Sequence, residues 1–189
     1  MLTSGRNGFK TKGGFVGLAL ALSVLIFGSL AWFPSEARAS GWTKLYTEEG
    51  GRTPFDFNQT ATRGQKFTSS GFDALRVSAP SWGNSVGNLT LSLYVWNTDY
   101  ATTTAQAPIA RKTFVDYADN AWLELEFPMQ GQGQYLWELS DPTEWVGVYA
   151  YARKPGDTSV SYADGASAPV QGYNYQAEAG FASGGWKAL

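Results

Sequence analysis

Residues 88–97 read NLTLSLYVWN, and their alternation decides the fold. Leu89, Leu91, Leu93 and Val95 fall on one side of an extended chain, and Thr90, Ser92, Tyr94 and Trp96 on the other. Side chains of a strand alternate between faces with a period of two. One apolar face and one mixed face predict a half-buried strand of an antiparallel sheet.

The same reading extends in both directions. Strands are expected over 64–69 and 72–80, then over 109–117, 121–127, 134–140, 145–153, 159–163 and 172–178. Gly, Asn, Asp and Pro mark the joins, and no helical period follows Ser40. Residues 42–61 add a strand or two. The fold class is therefore all-β: an antiparallel β-sandwich of jelly-roll type.

The amino-terminal segment reads as an address. Arg6, Lys10 and Lys12 precede an apolar run from Phe15 to Phe33, and Ala37-Arg38-Ala39 offers a small-x-small cleavage site. This predicts a secretory signal helix over 1–39 and a secreted β-sandwich domain over 40–189. The alternative is an uncleaved anchor, since the run is long enough to span a bilayer core of about 30 Å. The domain is long enough to bury a core without staples. It contains no cysteine, so it does so without disulfides.

Charge and composition exclude several function classes. Of the 14 basic and 16 acidic residues, Arg6, Lys10, Lys12, Arg38 and Glu36 lie in the signal; 10 and 15 remain, a net charge of −5. Basic residues adjoin only at Arg111-Lys112 and Arg153-Lys154 in that domain, so nucleic acid is not the expected partner. No membrane contact is expected after signal cleavage. With no histidine and no cysteine, a Ser-His-Asp triad, a thiol nucleophile and an ordinary zinc site are all excluded. Glu124 and Glu126 share a face, about 6.7 Å apart along the strand, within the range of glycosidase carboxylate pairs. They project in parallel instead of flanking a bond, and nothing in the sequence raises either pKa. The chain is therefore expected not to be an enzyme.

Strand direction alternates, so loops 82–88, 116–121, 141–144 and 164–171 should meet at one end of the sandwich. That end gathers Trp82, Asn84, Tyr117 and Asn120. It also holds Asp116, Asp119 and Asp141, whose hard oxygens would suit a structural calcium, although their spacing matches no EF-hand loop. Asn and Asp are also ordinary turn formers. The opposite end gathers loops 97–108, 128–133 and 153–158.

Alternation also sorts the aromatics. Tyr135 and Trp137 should face the core, with Gln134, Leu136 and Glu138 on the other side. In 145–153, Val146, Val148 and Ala150 pack inward, which turns Trp145, Tyr149 and Tyr151 outward, as Trp96 is turned outward on its own strand. Monomers rarely expose large apolar patches without use. Planar rings suit the flat C–H face of a pyranose, and neighbouring polar side chains suit its hydroxyls. Two alternative carbohydrate sites follow: a face platform of Trp96, Trp145, Tyr149 and Tyr151, or an end site around Trp82, Asn84, Tyr117 and Asn120.

The stretches GQKFTSSGFDALRVSAPSWGN (64–84), LTLSLYVWNTDY (89–100), DNAWLELEF (119–127), GQYLWELSDP (133–142) and VGVYAY (146–151) together resemble a family. It is the non-catalytic, carbohydrate-binding-like jelly-roll modules attached to secreted bacterial glycan-acting enzymes. The resemblance spans roughly 64–175, carries no catalytic signature and transfers no ligand residue. It implies a lectin-like accessory role, with a polysaccharide or cell-surface glycan as partner and an adjoining enzyme domain as neighbour. The alternatives are a structural or adhesion domain making protein–protein contacts and a glycan-acting enzyme using Glu124 and Glu126.

Overall fold

The computed structural model describes residues 41–164 and 172–182. The signal segment expected over 1–39, most of loop 164–171 and the last seven residues lie outside the described residues.

Twelve strands and one helical turn follow each other in the order β1 (Trp42–Lys44), β2 (Thr53–Asp56), β3 (Arg63–Ser69), β4 (Phe72–Ala79), β5 (Asn88–Val95), α1 (Tyr100–Thr104), β6 (Ala110–Val115), β7 (Ala121–Gln130), β8 (Gly133–Ser140), β9 (Gly147–Ala152), β10 (Val160–Ala163), β11 (Tyr173–Tyr175) and β12 (Ala177–Gly180). Every pairing is antiparallel. One layer is the five-stranded sheet β10-β3-β8-β5-β6. The other is divided into β1-β12-β4-β7 and β11-β9-β2.

Gln176 makes the division. The expected strand over 172–178 changes partner there: Tyr175 pairs with Ala150 of β9, and Ala177 with Val77 of β4. The Gln176 N–H donates to Tyr149 O at 2.7 Å, and its carbonyl accepts from Ser78 N at 2.9 Å. One chain path thus stitches the two parts of the layer together.

The core lies between the layers. Leu89, Leu91 and Leu93 of β5, Tyr135, Trp137 and Leu139 of β8, and Phe67 of β3 pack with Leu75, Val77, Leu123, Leu125, Val148 and Tyr175 in one buried cluster. Full burial of one such side chain contributes about 1.5–3 kcal/mol. Asn88–Val95 therefore forms the strand its alternation predicts, with the leucines inward.

The outer face of the five-stranded sheet departs from expectation. Residues 97–109 contain a helical turn that the sequence reading missed, because five residues are too few to show a period. Asp99 caps it, accepting from Thr102 N at 2.7 Å. Tyr100 lays its ring over Gly64, where a Cβ would stand 3.3 Å from the ring and 2.7 Å from Trp137 O. Tyr94, Tyr100, Leu136 and Tyr162 then form a second small buried cluster. Tyr94 and Leu136, expected on an open face, are covered because the returning loop supplies a lid.

Candidate functional site

The loops at one end of the sandwich meet as strand direction requires. Ser81 N donates to Asp119 Oδ1 at 2.8 Å, Gly87 N to Asp116 Oδ1 at 3.1 Å, and Asn88 N to Thr143 Oγ1 at 2.9 Å. These bonds lock 80–87, 116–120 and 141–146 to one another.

The backbone here is under strain. Among the described residues, the non-glycine positions with positive φ are Trp82, Ser85, Asp116, Asn120, Asp141, Glu144 and Asp164. All seven lie in loops at this end of the sandwich. Asn and Asp tolerate that region, but a bulky residue there is an outlier. Trp82 adopts it with φ 47°. Such conformations persist only where the surroundings over-determine them, and they concentrate at ligand clamps.

What the strain achieves is visible at Gly147. A Cβ there would lie 2.6 Å from Trp82 Cη2 and 2.6 Å from Phe55 O. The edge of the Trp82 indole therefore rests on the bare backbone of β9. Trp145, in the loop before that strand, stacks with Trp82 at 6.2 Å between centroids and 30° between planes. Both stay open to solvent, 40% for Trp82 and 57% for Trp145.

Tyr149 and Tyr151 continue the row on the same face of β9, half-buried and not fully exposed. The Tyr149 hydroxyl donates to Asn120 Oδ1, and Asn120 Nδ2 donates to Asp119 Oδ2 at 2.8 Å. The exposed Arg52 guanidinium lies 3.6 Å from the Tyr149 ring centre. Tyr151 stacks on Tyr46 at 5.1 Å and 12°.

Residues of the two alternative sets therefore meet. Trp82 of the end site pairs with Trp145 of the face platform, and Asn120 binds Tyr149. Asn84 is exposed in the same loop, with Oδ1 accepting from Val86 N at 3.0 Å. Two expected members leave the set. Tyr117 is buried at 8% exposure beneath the loops, with its hydroxyl donating to Pro80 O at 3.3 Å. Burial, with the Asp119 charge, pushes its pKa well up. Trp96 lies on the other layer, at the end of β5, where it stacks on Tyr162 at 6.0 Å with Lys66 Nζ 4.8 Å from its ring centre. Alternation tells inside from outside but not one outer face from the other, so it cannot separate Trp96 from the β9 rings.

Arg52, Gly147 and Tyr46 escaped the sequence reading. Arg52 and Tyr46 lie in the segment whose strands were least defined. Alternation puts Gly147 on the outward side with Tyr149 and Tyr151, and a glycine within a strand is itself a sign of close approach.

The acidic residues are taken up by the scaffold. Asp116 and Asp119 each accept a loop amide, as above. Burial works against the Asp141 charge, but bonds from Thr90, Ser140 and the Arg111 guanidinium hold its carboxyl below the ordinary range. Among the described residues, no group of three or more acidic side chains is arranged to hold a metal ion. Glu124 stands in register with Arg76, and Glu126 with Ala74. The Arg76 guanidinium lies between Trp42 at 4.2 Å and Trp122 at 4.6 Å and pairs with Glu178 at 2.5 Å. Glu124 therefore stands across the strand pair from a guanidinium that Glu178 already engages.

Comparison with protein-family models, curated proteins and solved structures finds no match to this chain.

Proposed function

We propose that this all-β domain is a secreted, non-catalytic carbohydrate-binding module of jelly-roll type, whose site is the row Trp82, Trp145, Tyr149 and Tyr151 with Asn84, Asn120 and Arg52 beside it. The observation that carries this reading is the stacked, solvent-open Trp82–Trp145 pair, held by a strained backbone at φ 47°. Indoles that served only the core would be buried, as Trp137 is. A backbone conformation that costs about 1–3 kcal/mol is retained where it positions a side chain for use. Sugar rings offer C–H faces to stack and hydroxyls that both donate and accept. The exposed side chains around the pair offer matching amides and a guanidinium. The resemblance of roughly 64–175 to modules joined to glycan-acting enzymes points to the same partner.

Affinity electrophoresis of the 40–189 domain through gels containing soluble polysaccharides tests the reading. At least one polymer should retard the domain. Trp145→Ala and Trp82→Ala should each weaken that retardation by up to about tenfold, the upper worth of one aromatic contact. Migration unaffected by every glycan would overturn the proposal. So would retardation that both variants retain in full.

A further inference from the structure

The row has a second end. Outward positions of β9 recur every two residues, about 6.6 Å apart. Trp82 rests at Gly147, Arg52 at Tyr149 and Tyr46 at Tyr151. Beyond Tyr46 opens a groove of about 480 Å³ between residues 43–47 and 154–159, closed on one side by Thr68. That volume falls within the range of small-ligand sites, roughly 300–1,000 Å³.

The chemistry of the groove differs from that of the row. Lys44 and Lys154 both line it. Lys154 has no carboxylate partner among the described residues. Lys44 Nζ lies 2.8 Å from Glu48 and 5.7 Å from the Tyr46 ring centre. Asp157, the acid in the lining, is already engaged: its carboxylate accepts from Ser159 N at 3.0 Å and from Asn174 Nδ2 at 2.6 Å. Thr47 Oγ1 is buried in the groove wall and finds no hydrogen-bond partner in the protein.

Resting on the carbohydrate reading of the row, we propose that this groove is the far subsite of the same site and takes the carboxylate of a uronic-acid polysaccharide. The sugar chain runs along β9 from the Trp82–Trp145 pair to Tyr46. There Lys154 and the shared Lys44 meet the carboxylate. Arg52, also without a carboxylate partner among the described residues, adds a cation midway along the path. These cations stand out on a domain that is acidic as a whole.

Isothermal titration with a linear polyuronate and with its carboxyl-reduced, neutral counterpart tests this. The polyuronate should bind about fivefold tighter at low salt, the size of one exposed ammonium–carboxylate contact. Salt should erode that margin while leaving the neutral polymer unaffected. Lys154→Gln should cut the margin markedly without changing affinity for the neutral polymer, which also reports that the variant is folded. Equal affinity for the two polymers, with Trp145→Ala weakening both, would overturn the subsite and leave the row standing. A margin that Lys154→Gln leaves undiminished would also overturn it. Absence of binding to either polymer, or to any other glycan, would overturn row and groove together.

Discussion

Tyr100 and Glu138 stand 38 residues apart in the chain, yet the phenol of the first donates to the carboxylate of the second on the outer face of the five-stranded sheet. The neighbours of Glu138 across β3 and β5 are Gly64 and Ser92, and these small residues leave room for the ring to lie flat. The bond ties α1 to the sheet and removes a charge-bearing group from water.

That burial sets a pH dependence. Burial raises the Glu138 pKa above its ordinary 4.5, with the Asp141 charge adding to it and the Tyr100 bond and Arg111 opposing. Between the ordinary and the raised value the folded state holds a proton that the unfolded chain has released. Stability therefore falls as pH rises through that window and levels off above it. Thermal unfolding followed from pH 4 to pH 7 should show this slope, and Glu138→Gln should flatten it. A wild-type slope of opposite sign that Glu138→Gln removes would contradict the raised value.

Trp82 stores strain that can be released. Trp82→Gly removes the left-handed penalty for a bulky residue, about 1–2 kcal/mol, along with the ring. With 40% of Trp82 open to solvent, the loss of packing on Gly147 and Trp145 is only partial. Urea unfolding should show Trp82→Gly at least as stable as the parent, while Trp82→Ala, which keeps the strain, should not gain. Glycan retardation should fall in both.

Gly147→Ala acts on the same contact from below. Its methyl would meet Phe55 O and the Trp82 ring, both at 2.6 Å. Since the carbonyl belongs to the β2–β9 ladder, the ring cannot absorb the whole displacement. Overpacking of this kind costs about 1–3 kcal/mol. Denaturant midpoint and glycan affinity should drop together in this variant.

Gln65 joins three elements from inside the sandwich. Its Nε2 donates to Leu45 O at 2.7 Å, while Oε1 accepts from Ser161 Oγ at 2.9 Å and Tyr175 N at 2.7 Å. Gln65→Leu keeps the volume and leaves those groups without partners. At about 1–3 kcal/mol for each orphaned buried group, it should be among the most destabilising single changes, measured as the shift in urea midpoint.

Arg76 pairs with Glu178 between two indoles. Arg76→Ala leaves the buried Glu178 carboxylate alone and should cost about 3–5 kcal/mol in chemical unfolding. Arg76→Lys should recover only part of that loss, because an ammonium cannot stack on Trp42 and Trp122 as a planar guanidinium does. Full recovery by lysine would show that charge alone matters there.

Local alternation determined a good deal. Period-two patterning along Asn88–Val95, Gly133–Ser140 and Gly147–Ala152 is a property of neighbouring residues. It assigned Leu91, Trp137 and Val148 inward and Tyr149 outward before any partner strand was known. Turn residues at the joins placed the loops at the correct ends.

What alternation cannot carry is the identity of the neighbour across a gap in the chain. Trp82 meets Trp145 through the crossing of two loops, Arg52 meets Tyr149 through the β2–β9 register, and Tyr100 covers Gly64 because its loop folds back. Trp96 and Tyr149 look alike in sequence, both outward-facing, yet stand on different layers. The sequence by itself determined which face each strand buries, because that depends on residues one and two positions away. Only the tertiary structure decided which outward rings share a surface and which are covered, because that depends on strand order and loop closure between residues tens of positions apart.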